Sequence, residues 1–132
     1  VVAAARPAVV WRSGRRYLAA QARIVAMAAG DSRPVVGAVR VGVTAGKRQA
    51  RRAVERSRVK RVLREAARHA LAALDAAAGP RQVDLVLRLK AAVPAADLTN
   101  RARFKLELRA EADALLAQLA GFLRQGAGGA GA

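Results

Sequence analysis

The chain has 132 residues and a formal net charge of +16, from 25 Lys or Arg against nine Asp or Glu, with a pI near 12.0. That length is one domain's worth, and that charge points to nucleic acid or an anionic surface as the partner. There is no cysteine, which excludes disulfides and thiolate metal sites, and no apolar run reaches the ~18–20 residues needed to span a bilayer, so no membrane role is expected.

Hydrophobic residues make up 54% of the chain, much of it Ala, while the aromatic share is 3%. The aromatics are Trp11, Tyr17, Phe104 and Phe122. The core is therefore expected from Val, Leu and Ile, and base stacking has few platforms. Twenty-one of the 25 basic residues are Arg, whose planar guanidinium binds phosphate bidentately and stacks on bases.

The opening VVAAARPAVVWR is apolar but broken by Arg6 and Pro7, with no basic segment before it. It is a poor secretion signal, and a cytoplasmic location is the expectation. Residues 8–13 read as a short helix ending near Gly14. Tyr17–Met27 is Ala-rich with Ile24 and Val25, and its second half reads as a strand. Gly30-Asp31-Ser32-Arg33-Pro34 is a turn by composition. In Val35–Thr44, Val39, Val41 and Val43 alternate with Arg40, Gly42 and Thr44, a half-buried strand. Two strands around that turn predict an antiparallel hairpin.

Ala45–Arg52 is a basic link. A helix is expected from about Ala53 to Ala77, stopped by Gly79-Pro80. Val83–Leu89 is nearly all apolar and reads as a central strand. Pro94 marks a loop. Asp97 or Thr99 is placed to cap a last helix over Arg101–Leu123, whose apolar stripe is Leu108, Ala112, Leu115, Leu119 and Phe122. A single domain is thus expected over residues 1–124, and QGAGGAGA, residues 125–132, reads as a disordered tail. The order of elements gives an α/β sandwich with one sheet.

Between Lys47 and Arg68 the sequence KRQARRAVERSRVKRVLREAAR holds ten Lys or Arg in 22 residues against two acids, Glu55 and Glu65. Its second half has no Gly or Pro and runs as one helix. Projected at about 100° per residue, Arg56, Lys60, Arg61, Arg64 and Arg68 fall within roughly 140°, with Ser57 inside the arc. Val59, Val62, Leu63, Ala66 and Ala70 fall opposite. Like charges at i and i+4 repel by a few tenths of a kcal/mol per pair, so the row is costly unless a polyanion neutralises it.

Within that row, Ala53-Val54-Glu55-Arg56-Ser57-Arg58-Val59-Lys60-Arg61-Val62-Leu63-Arg64-Glu65 resembles the signature of the bacterial ribonuclease P protein subunit. The family pattern is A-V-x-R-N-x-x-K-R-x-x-R-E, preceded by a basic strand end, here Gly46-Lys47-Arg48. Ser57 stands where the family has Asn, and Ala67 where it has an aromatic. The resemblance covers roughly residues 8–124. It implies an α+β two-layer sandwich of order α-β-β-β-α-β-α, of the type of the second domain of ribosomal protein S5, with a left-handed β-α-β crossover. Chain physics alone favours the right-handed form.

The resemblance further implies a partner that does the chemistry. This is the catalytic RNA of ribonuclease P, with Mg²⁺ bound mainly by that RNA and no organic cofactor. The holoenzyme is an endoribonuclease that removes the 5′ leader of precursor tRNA. The expected catalytic-RNA contacts are Lys47, Arg51, Arg56, Ser57, Arg58, Lys60, Arg61, Arg64 and Arg68, one protein per RNA. For the leader, Trp11 and Tyr17 are the nearest candidates, or else core residues. No catalytic residue is expected in the chain itself. Glu107 and Glu111, beside Arg103, Lys105 and Arg109, read as surface ion pairs, and His69, the single histidine, as a surface residue. An autonomous nuclease would need metal-binding carboxylates or an acid–base pair. The rival reading is a general basic or ribosome-associated RNA-binding protein, which would not need the fixed spacing of the signature.

Overall fold

A computed structural model describes residues 9–27, 38–95 and 97–129. Along the chain they form β1 (Val9–Gly14), β2 (Leu18–Met27), β3 (Val39–Ala45), α1 (Ala53–Ala78), β4 (Arg81–Leu89) and α2 (Leu98–Gly129). The four strands make one sheet in the order β1-β2-β4-β3. β1–β2 and β2–β4 are antiparallel, and β3–β4 is parallel through a crossover that contains α1. Both helices lie on one face, α1 over β3 and β4, α2 over β1 and β2, and they pack on each other. The architecture is the expected mixed α+β sandwich.

The central place of β4 follows from its composition. Val83, Leu85, Leu87 and Leu89 point to the helices and are at most 1% exposed. Opposite them lie the stripe of α2 (Leu108, Leu115, Leu116, Leu119, Leu123) and Leu63 and Leu74 of α1, all 2% exposed or less. Each buried leucine contributes roughly 1.5–3 kcal/mol. Truncating one such as Leu115 to Ala costs about 2–5 kcal/mol, since the rigid surroundings do not fill the hole.

The helix ends are set locally. Gly79 closes α1 at φ 62°, where a side chain would be strained, and its N–H donates to the Asp75 carbonyl at 3.2 Å. Asp97 caps α2, its carboxylate accepting from the Asn100 N–H at 2.8 Å. Arg81 is the one buried charged residue among those described, 8% exposed. Its guanidinium donates to the carbonyls of Ala77 and Ala78 at 2.9 Å and of Leu123 at 2.6 Å. It thereby binds the open carbonyls at the end of α1 to α2. Burial pulls its pKa below the ordinary value for arginine.

Several expectations need correction. Residues 8–13 do not form a helix: Val9–Gly14 is strand β1, paired with β2 from Val9↔Ile24 to Gly14↔Ala19. Consecutive Val9 and Val10 followed by Trp11 suit a pleated surface better than a helix. The expected β2–β3 hairpin does not form either, because β4 inserts between the two strands. The turn at 30–34 lies outside the described residues. α2 runs over Leu98–Gly129, longer at both ends than the Arg101–Leu123 expected. Residues 130–132 lie outside the described range.

Candidate nucleic-acid interface

α1 presents its charge unevenly around the axis. Ser57, Arg58, Arg61, Arg64 and Arg68 are exposed, while Val59, Leu63, Ala66, Ala67 and Leu74 are buried. Lys60 is half-buried at the edge. Ser57, Lys60, Arg61, Arg64, Glu65 and Arg68 line one shallow hollow on this surface. The glutamate there is already engaged, since Arg68 donates to it at 3.0 Å and His69 lies 3.6 Å away. Arg64 does not pair with Glu65. His69 in turn accepts or donates at 2.9 Å with Arg109 of α2, which also bonds Asp113.

Arg56 departs from the rest of the row. It is half-buried, and its Nη1 donates to the carbonyls of Ala50 and Arg51 at 3.0 and 2.9 Å. This clamps the link that carries Lys47, Arg48 and Arg51, all exposed. The same link is held by N–H bonds from Gln49 and Ala50 to the Gly46 carbonyl, and by Val93 N–H to the Gln49 carbonyl. The projection placed Arg56 at the end of the arc; the carbonyls of the preceding turn draw its guanidinium inward.

A second basic surface lies on the far side of the sheet, which no described helix covers. Cross-strand register places Val10, Arg23, Asp84 and Arg40 in one row, and Arg12, Gln21, Val86 and Gly42 in the next. Gly14, Ala19, Arg88 and Thr44 form the third. Arg12, Gln21, Arg23 and Arg88 are exposed and share a broad concavity with Asp84 and Val86. Asp84 pairs with Arg40 at 3.0 Å, and this hydrogen bond first, its charge second, raises the pKa of Arg40. Reading strands one at a time missed this surface. Its signal was the outward, every-second position of Arg12, Arg23, Arg40 and Arg88, which needs the strand order to become one face.

Neither aromatic assigned to leader contact lies on that face. Tyr17 is 6% exposed and meets Phe104 edge-on, centroids 4.9 Å apart. Trp11 pairs with buried Ala22 and approaches Phe122 of α2 at 6.4 Å. Both rings serve the core between sheet and α2. Glu111 is likewise internal rather than a surface ion pair, its carboxylate accepting from the N–H groups of Tyr17 and Leu18 at 2.8 and 3.1 Å. Among the described residues no group of three His, Asp or Glu is placed to hold a metal ion.

The sequence matches the family model for ribonuclease P over residues 7–120. The chain belongs to the ribonuclease P protein family. It is thereby the protein subunit of ribonuclease P, acts in tRNA 5′ processing, and has the ribonuclease P RNA and the tRNA substrate as partners. Among solved structures it resembles the ribonuclease P protein of Staphylococcus aureus, with a TM-score of 0.52 and 13% identity over 82% of this chain and 79% of that one. At that identity the likeness speaks for the fold. A search of curated protein sequences returns no match. Within the ribonuclease P signature, the structure exposes Arg58, Arg61 and Arg64 and turns Arg56 inward.

Proposed function

We propose that this chain positions RNA and leaves the bond cleavage to the ribonuclease P RNA. The basic row of α1 (Lys60, Arg61, Arg64, Arg68, with Ser57) and the link residues Lys47 and Arg51 dock the catalytic RNA. The open face of the sheet holds the single-stranded 5′ leader on Arg12, Arg23 and Arg88. The RNA then hydrolyses one phosphodiester of the precursor and releases the leader. One protein serves one RNA, in the cytoplasm.

The observation that carries this reading is the row itself. Lys60/Arg64 and Arg64/Arg68 are like-charge i,i+4 pairs on one helix face, of which Glu65 offsets only Arg68, so the remaining charges repel unless phosphates sit among them. Arg56 adds order to the same surface by fixing the link against the helix.

Magnesium prefers a hexacoordinate shell of oxygen ligands. Glu65 and Asp84, the carboxylates at the two basic surfaces, are each tied to a guanidinium. These residues do not fit an Mg²⁺ site, so the ion is assigned to RNA phosphates. The test is reconstitution at low Mg²⁺ with the organism's ribonuclease P RNA and precursor tRNA. Leader removal that needs both components supports the reading. Specific 5′ processing by repurified, RNA-free protein would overturn it.

A further inference from the structure

A slot opens between α1, α2 and the segment before α2. Its floor is apolar and buried: Val59, Phe104 and Leu108 are 3%, 5% and 0% exposed. Half-buried Val62, Val93 and Pro94 form the walls. Its enclosed part is small, about 40 Å³, and it widens to about 470 Å³ only when the part open to solvent is counted. The mouth is charged, with Arg58 and Glu55 on α1 and Arg101 and Lys105 on α2. Next to it, Arg58, Arg61, Val62, Arg101 and Lys105 line an adjoining hollow with no carboxylate in its walls. Among the described residues, Arg58, Arg61, Arg101 and Lys105 form no ion pair.

We propose that this slot receives the edge of one unstacked nucleobase of the RNA partner, the rest of the ring lying in the open mouth and its flanking phosphates on Arg58, Arg61, Arg101 and Lys105. The inference rests on the reading that α1 docks the catalytic RNA, and extends it to α2. Three features select this occupant. A small apolar cleft with an open mouth accepts the edge of a planar ring, and base recognition commonly buries splayed bases against apolar and aromatic side chains. Unpaired cations around an apolar floor complement an anionic strand, and Arg61 belongs both to this hollow and to the row of α1. The two surfaces are therefore continuous. Glu55 is the one side-chain acceptor in the lining. A carboxylate there accepts from an exocyclic amine and repels a carbonyl edge, so a base that carries an amine, adenine, cytosine or guanine, is preferred over uracil.

The test uses the full chain and the organism's ribonuclease P RNA, with filter-binding titrations across a salt series and dimethyl sulfate and kethoxal footprinting at saturating protein. Val62→Phe fills the slot without changing charge, and an R101A/K105A double variant removes two anchors from the surface of α2. Wild-type protein is expected to protect an unpaired adenine or cytosine from dimethyl sulfate, or an unpaired guanine from kethoxal, that both variants leave reactive. Both should bind roughly 5- to 100-fold more weakly, the range for losing one stacked base. The salt slope should fall by about 1.4–1.8 for the double variant and stay unchanged for V62F. Should V62F melt early, the double variant decides alone. Wild-type affinity and footprint for R101A/K105A, alongside weakened binding by R64A, would overturn the slot and leave the docking row standing. Unchanged binding by R64A as well would remove the row, and the slot with it.

Discussion

The two basic surfaces of this molecule are built on different principles. The row on α1 is one helix seen from one side, with Arg61, Arg64 and Arg68 crowded on a single exposed arc. The open face of the sheet spreads Arg12, Arg23, Arg40 and Arg88 over four strands and interleaves them with Gln21, Gly42 and Val86, which is 42% exposed. Each surface pairs one guanidinium with a carboxylate, Arg68 with Glu65 on the row and Arg40 with Asp84 on the sheet. The row concentrates like charge beyond what the fold tolerates for free, which suits tight binding to a folded polyanion. The sheet dilutes charge with neutral and apolar surface, which suits a flexible strand held by separate phosphates and by its sugars and bases. Charge density, more than net charge, separates the two.

The comparison can be broken at either surface. A triple variant, R61A/R64A/R68A, should weaken binding to the catalytic RNA about 100-fold near physiological salt and lower the salt slope by roughly 2–3, while discrimination between precursor and leaderless tRNA persists. Titration across a salt series reads both. The reverse pattern is expected of R12A/R88A: unchanged affinity for the catalytic RNA and roughly tenfold weaker binding of precursor by the holoenzyme, with mature tRNA unaffected. If leader length has no influence on that loss, the open face is not the leader surface.

Within α1 itself, Arg56 and Arg64 should separate cleanly. R56A removes two charge-assisted bonds to the link and should cost about 1–2 kcal/mol in chemical denaturation, discounted for its partial exposure. R64A should leave stability within about 0.5 kcal/mol and reduce the salt slope by about 0.7–0.9. Equal stability losses would return Arg56 to the exposed row. The smallest effect is expected at Ser57, exposed in the hollow beside Arg61 and Arg64. S57N should keep or tighten RNA binding by up to about 1 kcal/mol, and S57A should weaken it by a similar amount. Identical affinity for Ser, Asn and Ala would take position 57 out of the interface.

What was legible in the sequence was what repeats along a single element. The 3.6-residue period of α1 separated Val59, Leu63 and Ala66 from Arg61, Arg64 and Arg68, and Gly79 marked its end within one residue. The fixed spacing from Ala53 to Glu65 carried the family. Features that depend on distant strands were not legible. β4 divides β2 from β3, so the hairpin drawn from chain neighbours does not exist. The open face needs the register of four strands before its arginines meet. Nothing local in the sequence marks Arg81 as buried, because its place depends on the ends of α1 and α2 meeting around it. The family resemblance makes Trp11 and Tyr17 the nearest leader candidates or else core residues, and strand parity for Trp11 and burial against Phe104 for Tyr17 decide which side each ring occupies.

The position of β4 also orders events during synthesis. It is the last strand made, yet it supplies the pairing for both β2 and β3. Until residue 89 has left the ribosome, β3 has no neighbour and the β1–β2 ribbon has a bare inner edge, while the arginine-rich α1 has already emerged. Local ribbons are marginal alone and non-local pairings close late. The nascent chain therefore displays its most cationic helix before it has a sheet to rest on. Beside the ribosome's own RNA, the interval between α1 and β4 is when this helix is most open to binding the wrong RNA.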